Sequence, residues 1–141
     1  MTTTRMRQGA LLVASVVVVL SGLWLSTQAF GAGAVYATIA SFQFTPRVMV
    51  AHPGDMVTWT NNDNYPHTVT SDPSTISAFG PNSDVEYPNG IRPGQSYTWI
   101  VPVNAPVGVT WYYYCRFHGA PGDGTSFGQG MTGAVTIQQQ Q

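Results

Sequence analysis

The sequence predicts an all-β sandwich. From Val35 onward short runs alternate apolar and polar side chains, Pro, Gly, Asn and Asp bound those runs, and no stretch carries apolar residues at helical spacing. Taken in order, Phe42 and Phe44 flank Gln43, Val57 and Trp59 flank Thr58, Tyr97, Trp99 and Val101 are spaced by Thr98 and Ile100, and Val135 and Ile137 flank Thr136. A strand turns alternate side chains to opposite faces, so each run presents one row to a core. Turn residues fall where those strands should end, at Pro53-Gly54, Asn89-Gly90, Pro93-Gly94 and Pro106-Val107-Gly108. The segment from His52 to Trp59 is echoed 40 residues later from Arg92 to Trp99, which reads as one turn-then-strand solution used twice. Residues 71–89 lack periodicity and carry Pro73, Pro81 and Pro88, so they are expected to form a long loop; residues 138–141 are expected to be a disordered tail.

At 141 residues one small domain is expected. Lys+Arg is 5 and Asp+Glu is 6, with no lysine, which argues against a protein that neutralises phosphates; no nucleic-acid partner is expected. Cys115 is the single cysteine, which excludes an intrachain disulfide framework and any metal site built on two thiolates.

The first 34 residues read as a separate unit. Arg5 and Arg7 precede an apolar stretch over residues 10–25, and Ala32-Gly33-Ala34 offers the small-x-small pattern of a signal-peptidase site. Residues 9–30 also number enough to span a bilayer of about 30 Å, so the segment is expected to be a cleaved signal peptide or an N-terminal anchor. In both cases residues 35–141 form the folded domain outside the cytoplasm, periplasmic or otherwise extracytoplasmic. That part keeps three arginines against six acids, and so sparse a charge predicts weak electrostatic steering of partners.

Chemistry concentrates in two segments. A strand ending at Cys115 is followed three residues later by His118, and after a glycine-rich stretch Met131 opens the next strand; His67 comes from a different part of the sheet. Two imidazoles, one thiolate and one thioether are the donor set that holds copper in a trigonal plane with a long axial contact. Thiolate favours Cu(I) and imidazole suits both oxidation states, so such a site exchanges one electron with little ligand movement.

These residues carry a resemblance to a family. Phe42-Gln-Phe-Thr-Pro46, the run from Val50 to Trp59, Tyr65-Pro-His-Thr-Val69, Tyr114-Cys-Arg-Phe-His118 and Gly130-Met-Thr-Gly-Ala-Val135 together resemble the small blue copper proteins of the cupredoxin family, of the plastocyanin, amicyanin and halocyanin kind. The resemblance implies a Greek-key, cupredoxin-like sandwich holding one copper ion that cycles between Cu(I) and Cu(II). His67 then resembles the buried ligand, Cys115 the thiolate, His118 the more exposed ligand and Met131 the axial ligand. The departure is the 12-residue glycine-rich loop expected between His118 and Met131, longer than in short-loop relatives. Gln129, Asp123 or an open position are the alternatives to Met131.

Other residues receive plainer readings. His52 is expected at the surface, Met49 and Met56 in packing or edge positions, and Thr68 as a hydrogen-bonding partner that pins the cysteine loop. Alternation along the cysteine strand puts Trp111 and Tyr113 on the face of Cys115, with Tyr112 and Tyr114 opposite. Tyr114, bonded directly to the ligand residue and facing outward, is therefore a second candidate for electron exchange, the first being the edge formed by His118 with the apolar Gly119, Ala120 and Pro121. The function expected is a monomeric single-electron carrier between redox partner proteins, with a membrane tether through residues 9–30 if the leader is retained. An atypical copper site with an enzymatic or copper storage and delivery role is the alternative. Three histidines cannot build a trinuclear oxidase cluster, delivery proteins use Met-rich or His-rich tracts that this chain lacks, and a structural zinc site wants four strong donors.

Overall fold

The computed structural model describes residues 32–73 and 79–141. The expected export segment lies almost wholly outside the described residues, and among these no helix is long and apolar enough to cross a membrane. Among the described residues eight strands follow one another: β1 (Ala34–Ala40), β2 (Gln43–Thr45), β3 (Val48–Ala51), β4 (Met56–Asn61), β5 (Thr70–Ser71), β6 (Ser96–Ile100), β7 (Thr110–Ala120) and β8 (Gln129–Ile137). They form two four-stranded sheets in the orders β2-β1-β4-β6 and β3-β8-β7-β5. After β2 the chain changes sheet at every step until β7, and β1 with β4 and β3 with β8 run parallel. The result is a two-layer sandwich closed over one core.

The inward rows are those the alternation predicts. Val57 and Trp59 of β4, Tyr97 and Trp99 of β6, Trp111, Tyr113 and Cys115 of β7, and Val135 and Ile137 of β8 are all buried. Large rings join the layers: Trp59 meets Tyr113 edge to face at 5.3 Å and donates its Nε1–H to the phenol oxygen at 3.0 Å, while Trp99 meets Trp111 at 5.3 Å. The two echoed segments become neighbours. Gly54 and Gly94 both take left-handed φ values, 90° and 79°, and the strands they lead into pair antiparallel with Thr58 opposite Thr98.

Phe42 departs from the expected row. Phe44 is buried, but Phe42 is 43% exposed, because Ser41 and Phe42 both have positive φ (52° and 59°) and form the two-residue connection between Ala40 and Gln43. A hairpin turn of that kind needs two left-handed residues and is usually signalled by Asn-Gly. Ser-Phe carries no such signal, so the turn was not legible as one.

The long loop expected after His118 is strand at both ends and irregular between them. β7 and β8 pair in register up to Tyr114 opposite Thr132, slip, and pair again at Gly119–Gly130 and Ala120–Gln129. Only residues 121–128 lie outside the ribbon. Phe127 folds back between the Arg47 guanidinium, 3.8 Å from its ring centre, and the edge of Tyr112 at 5.2 Å, while Asp72 accepts the Gly122 N–H at 2.6 Å. The added length thus packs on the outer face of the second sheet.

Candidate metal centre

His67 lies between β4 and β5 in an isolated bridge with Ile91, exchanging backbone bonds of 3.1 and 2.7 Å. Asn61, fully buried at the end of β4, shapes the preceding turn. Its amide donates to the carbonyls of Tyr65 and Ile91 at 2.8 Å each, and its oxygen accepts the Asp63 N–H at 2.9 Å. Cys115 ends the inward row of β7 and is fully buried; His118 follows in the slipped stretch and is half-buried. A bulge in an antiparallel pair re-aims the side chains it carries, and here it turns His118 back toward the cysteine.

The three side chains converge. His118 Nδ1 is 3.1 Å from His67 Nδ1, Cys115 Sγ is 3.4 Å from His118 Nδ1 and 3.7 Å from His67 Nδ1. A triangle with those sides has its centre about 2.0 Å from each corner, which matches the 2.0–2.1 Å of an imidazole bond to zinc and falls slightly short of the 2.3 Å of a thiolate bond. Among the described residues these three are the group of His, Cys, Asp and Glu side chains placed to hold a metal ion. The donors therefore fit a first-row metal in a trigonal plane, and one thiolate with two imidazoles is the set that selects copper.

Hydrogen bonds hold the triangle from both sides. The Thr68 N–H donates to Cys115 Sγ at 3.3 Å, and the Thr68 hydroxyl accepts the Arg116 N–H at 2.9 Å, so the residue after one ligand is tied to the residue after another. Asp63 Oδ2 lies 3.2 Å from His67 Nε2 and accepts the Phe42 N–H at 2.9 Å. Burial first, and then the neighbouring His118, lower the pKa of His67 against the opposing effect of Asp63, which favours the neutral ring that a metal ligand must be. The Phe42 N–H, the Asn64 N–H and His67 hold the Asp63 carboxyl below its ordinary value against a smaller opposing effect of burial. The Phe42 ring stands edge-on to His118 at 4.8 Å and to His67 at 5.6 Å.

Met131 is buried on β8, between Gly130, paired with Gly119, and Thr132, paired with Tyr114. It thus stands across from the stretch that carries Cys115 and His118. Gln129 and Asp123 are exposed, and Asp123 Oδ1 already accepts the N–H and hydroxyl groups of both Thr125 and Ser126. Tyr114 is half-buried on the outer face of its sheet, paired with Thr70 and Thr132. His52 is not a plain surface residue, since its Nδ1 pairs with the buried Asp55 at 3.0 Å. Asn61 and Asp63 are the contributors that no motif marks, while Phe42, the first residue of a motif segment, was expected in the inward row and stands instead beside the two histidines. The one signal for Asp63 is an acid four residues ahead of a ligand histidine in a polar turn.

Comparison with known proteins agrees with this geometry. Residues 32–138 match the family described as copper binding proteins of the plastocyanin/azurin family. A chloroplastic plastocyanin from Tetradesmus obliquus is 34% identical over 99 residues, covering 67% of this chain and 58% of that protein. A plastocyanin from Nostoc punctiforme is 29% identical over 102 residues, covering 67% and 64%. The chain thus spans about three fifths of the length of these relatives. Among solved structures, an oxidized amicyanin variant is similar in fold, with a TM-score of 0.52 and 22% identity over 75% of this chain and 83% of that one. With the match running over nearly every described residue and the His67, Cys115 and His118 donors converging within it, the chain belongs to the plastocyanin/azurin family of copper binding proteins.

Proposed function

We propose that this protein is a single-electron carrier, not an enzyme, built around one copper ion held by His67, Cys115 and His118 with Met131 as the axial ligand. The observation that carries the reading is the preformed triangle of donors, 3.1 to 3.7 Å apart and tied by hydrogen bonds through Thr68 and Asp63. Copper bound there supplies a one-electron Cu(I)/Cu(II) couple. Ligands that are already in place need little rearrangement between the two states, which is what rapid electron exchange requires. The burial of Met131 opposite the ligand stretch, and the exposure of Gln129 and Asp123, favour the thioether as the fourth donor.

Electrons would pass at the edge where His118 emerges. Tyr65, Pro66, Asn89, Phe117 and His118 line a shallow cleft of about 260 Å³ without a charged side chain, suited to a transient, apolar docking by redox partner proteins. Tyr114, next to the ligand Cys115 and on the outer face of its sheet, is a second exit. We further read residues 1–34 as an export leader or anchor, which places the monomeric domain outside the cytoplasm with a tether through residues 9–30 where the leader is retained.

The visible and electron paramagnetic resonance spectra of the copper(II)-loaded protein, with Met131→Gln beside it, test the reading. An intense sulfur-to-copper absorption with a narrow copper splitting, changed by Met131→Gln, is expected. A weak or absent absorption, or spectra indifferent to residue 131, would contradict it and return the site to the enzymatic or copper-delivery alternative.

A further inference from the structure

Asp63 lies in the turn after β4, and a single oxygen of its carboxylate serves two partners. Oδ2 lies 3.2 Å from His67 Nε2 and 2.9 Å from the Phe42 backbone nitrogen, while Oδ1 accepts the Asn64 N–H at 3.0 Å. The turn is itself fixed, because Asn61 receives the Asp63 N–H and donates to two carbonyls beyond it. The acceptor is thus held in place before any metal arrives. An imidazole that donates at Nε2 keeps its lone pair at Nδ1, the atom His67 contributes to the donor triangle. The other partner leads to the second histidine. Phe42 has a left-handed backbone, φ 59°, its N–H ends on Asp63, and its ring packs edge-on to His118 at 4.8 Å.

Charge adds to position. The carboxylate is only 13% exposed, so water screens it incompletely, and it sits one imidazole away from the metal position. A fixed negative charge there stabilises the more positive oxidation state.

We propose that Asp63 is a positioning residue for the copper site, orienting His67 directly and His118 through Phe42, and that its negative charge biases the bound copper toward Cu(II). The proposal rests on the copper reading above. In the copper-free protein the His67 imidazole should show a single Nε2–H form by ¹⁵N resonance. Asp63→Asn, which keeps an acceptor oxygen and loses the charge, should preserve that form and shift the copper-loaded protein toward Cu(I) by tenfold or more at a given potential, about 59 mV for a one-electron couple.

Asp63→Ala should shift it at least as far, let the His67 proton exchange between ring nitrogens, and move the His118 resonances as Phe42 loosens. A Cu(I):Cu(II) ratio within twofold of the parent in Asp63→Asn overturns the charge assignment. An unaltered His67 tautomer in Asp63→Ala overturns the positioning assignment; should that variant not fold, Asp63→Ser, which lacks the carboxylate, stands in for it and is read in the same way. A parent protein that takes up no copper would sink the copper reading instead, and the tautomer measurement would still decide whether Asp63 orients the ring.

Discussion

Thr68 holds the cysteine from two directions, and the direction of each hydrogen bond can be worked out. The Thr70 hydroxyl donates to Asp84 at 3.0 Å, so it accepts from the Thr68 hydroxyl at 2.8 Å, which in turn accepts the Arg116 N–H. The chain of donors closes through the Arg116–Asp84 ion pair at 3.3 Å. Thr68→Val keeps the side chain's shape but leaves the Arg116 N–H without its acceptor, a loss of about 1–3 kcal/mol for a group of this kind. Denaturant unfolding of the copper-free protein should show that loss. The sulfur-to-copper absorption should persist, because the bond to Cys115 Sγ comes from the Thr68 backbone. Unchanged stability would mean that the Arg116 N–H finds water instead. At this scale the three ligands were legible because Cys and His are scarce and their spacing is restrictive. Asp63 was not, since an acid in a polar turn looks the same whether it faces solvent or a ligand, and only the turn that Asn61 builds brings it to His67.

The hairpin of β7 and β8 carries three of the four proposed ligands, and its glycines have separate reasons. Gly130 takes a left-handed φ of 68° where pairing resumes after the slip, but Gly133 sits there because of a close approach. It lies opposite Tyr113, and a Cβ on it would come within 2.3 to 2.6 Å of three atoms of that phenol. The ring cannot retreat, being buried between Phe44 at 4.9 Å and Trp59 at 5.3 Å. Gly133→Ala is therefore expected to destabilise the fold by about 1–3 kcal/mol, the usual range for overpacking a filled core. A thermal unfolding midpoint equal to the parent's would show that the hairpin can shift to absorb a methyl group. The alternation of β4, β6 and β7 was legible because each buries one face, whereas β8 is buried on both faces from Met131 to Val135 and shows the pattern only at its Val135-Thr136-Ile137 end. The Ser41-Phe42 turn and the β7–β8 ribbon were not legible, because the first uses residues that disfavour its backbone and the second was masked by glycines that read as loop.

The two sheets are also tied together at the end where β1 begins, and a carboxylate makes the tie. Asp55, just before β4, accepts the Gly33 N–H at 2.7 Å, the His52 N–H at 2.8 Å and the His52 ring at 3.0 Å, so it links the start of β1 and the end of β3 to β4. Burial alone would raise its pKa, yet the N–H groups of His52 and Gly33 and the His52 ring outweigh burial and hold it below the ordinary 3.8. A group whose folded pKa lies below its unfolded one stabilises the fold above the unfolded value and loses that contribution as pH falls through the folded value. The acid limb of stability should thus begin near pH 4 and steepen below it. Asp55→Asn removes this titration and leaves a buried amide on donors that suited a carboxylate. It should lower stability at neutral pH by about 1–3 kcal/mol and flatten the acid limb. The slope should not vanish, because Asp63 and Asp123 are also held low, Asp123 to about 2 by the donors of Thr125 and Ser126. Denaturant unfolding of the copper-free protein between pH 2 and 7 separates this effect from loss of metal. Parallel curves for the parent and Asp55→Asn would show that the tie does not set the acid limit, and the slope would then belong to the carboxylates at the metal site and on the long loop.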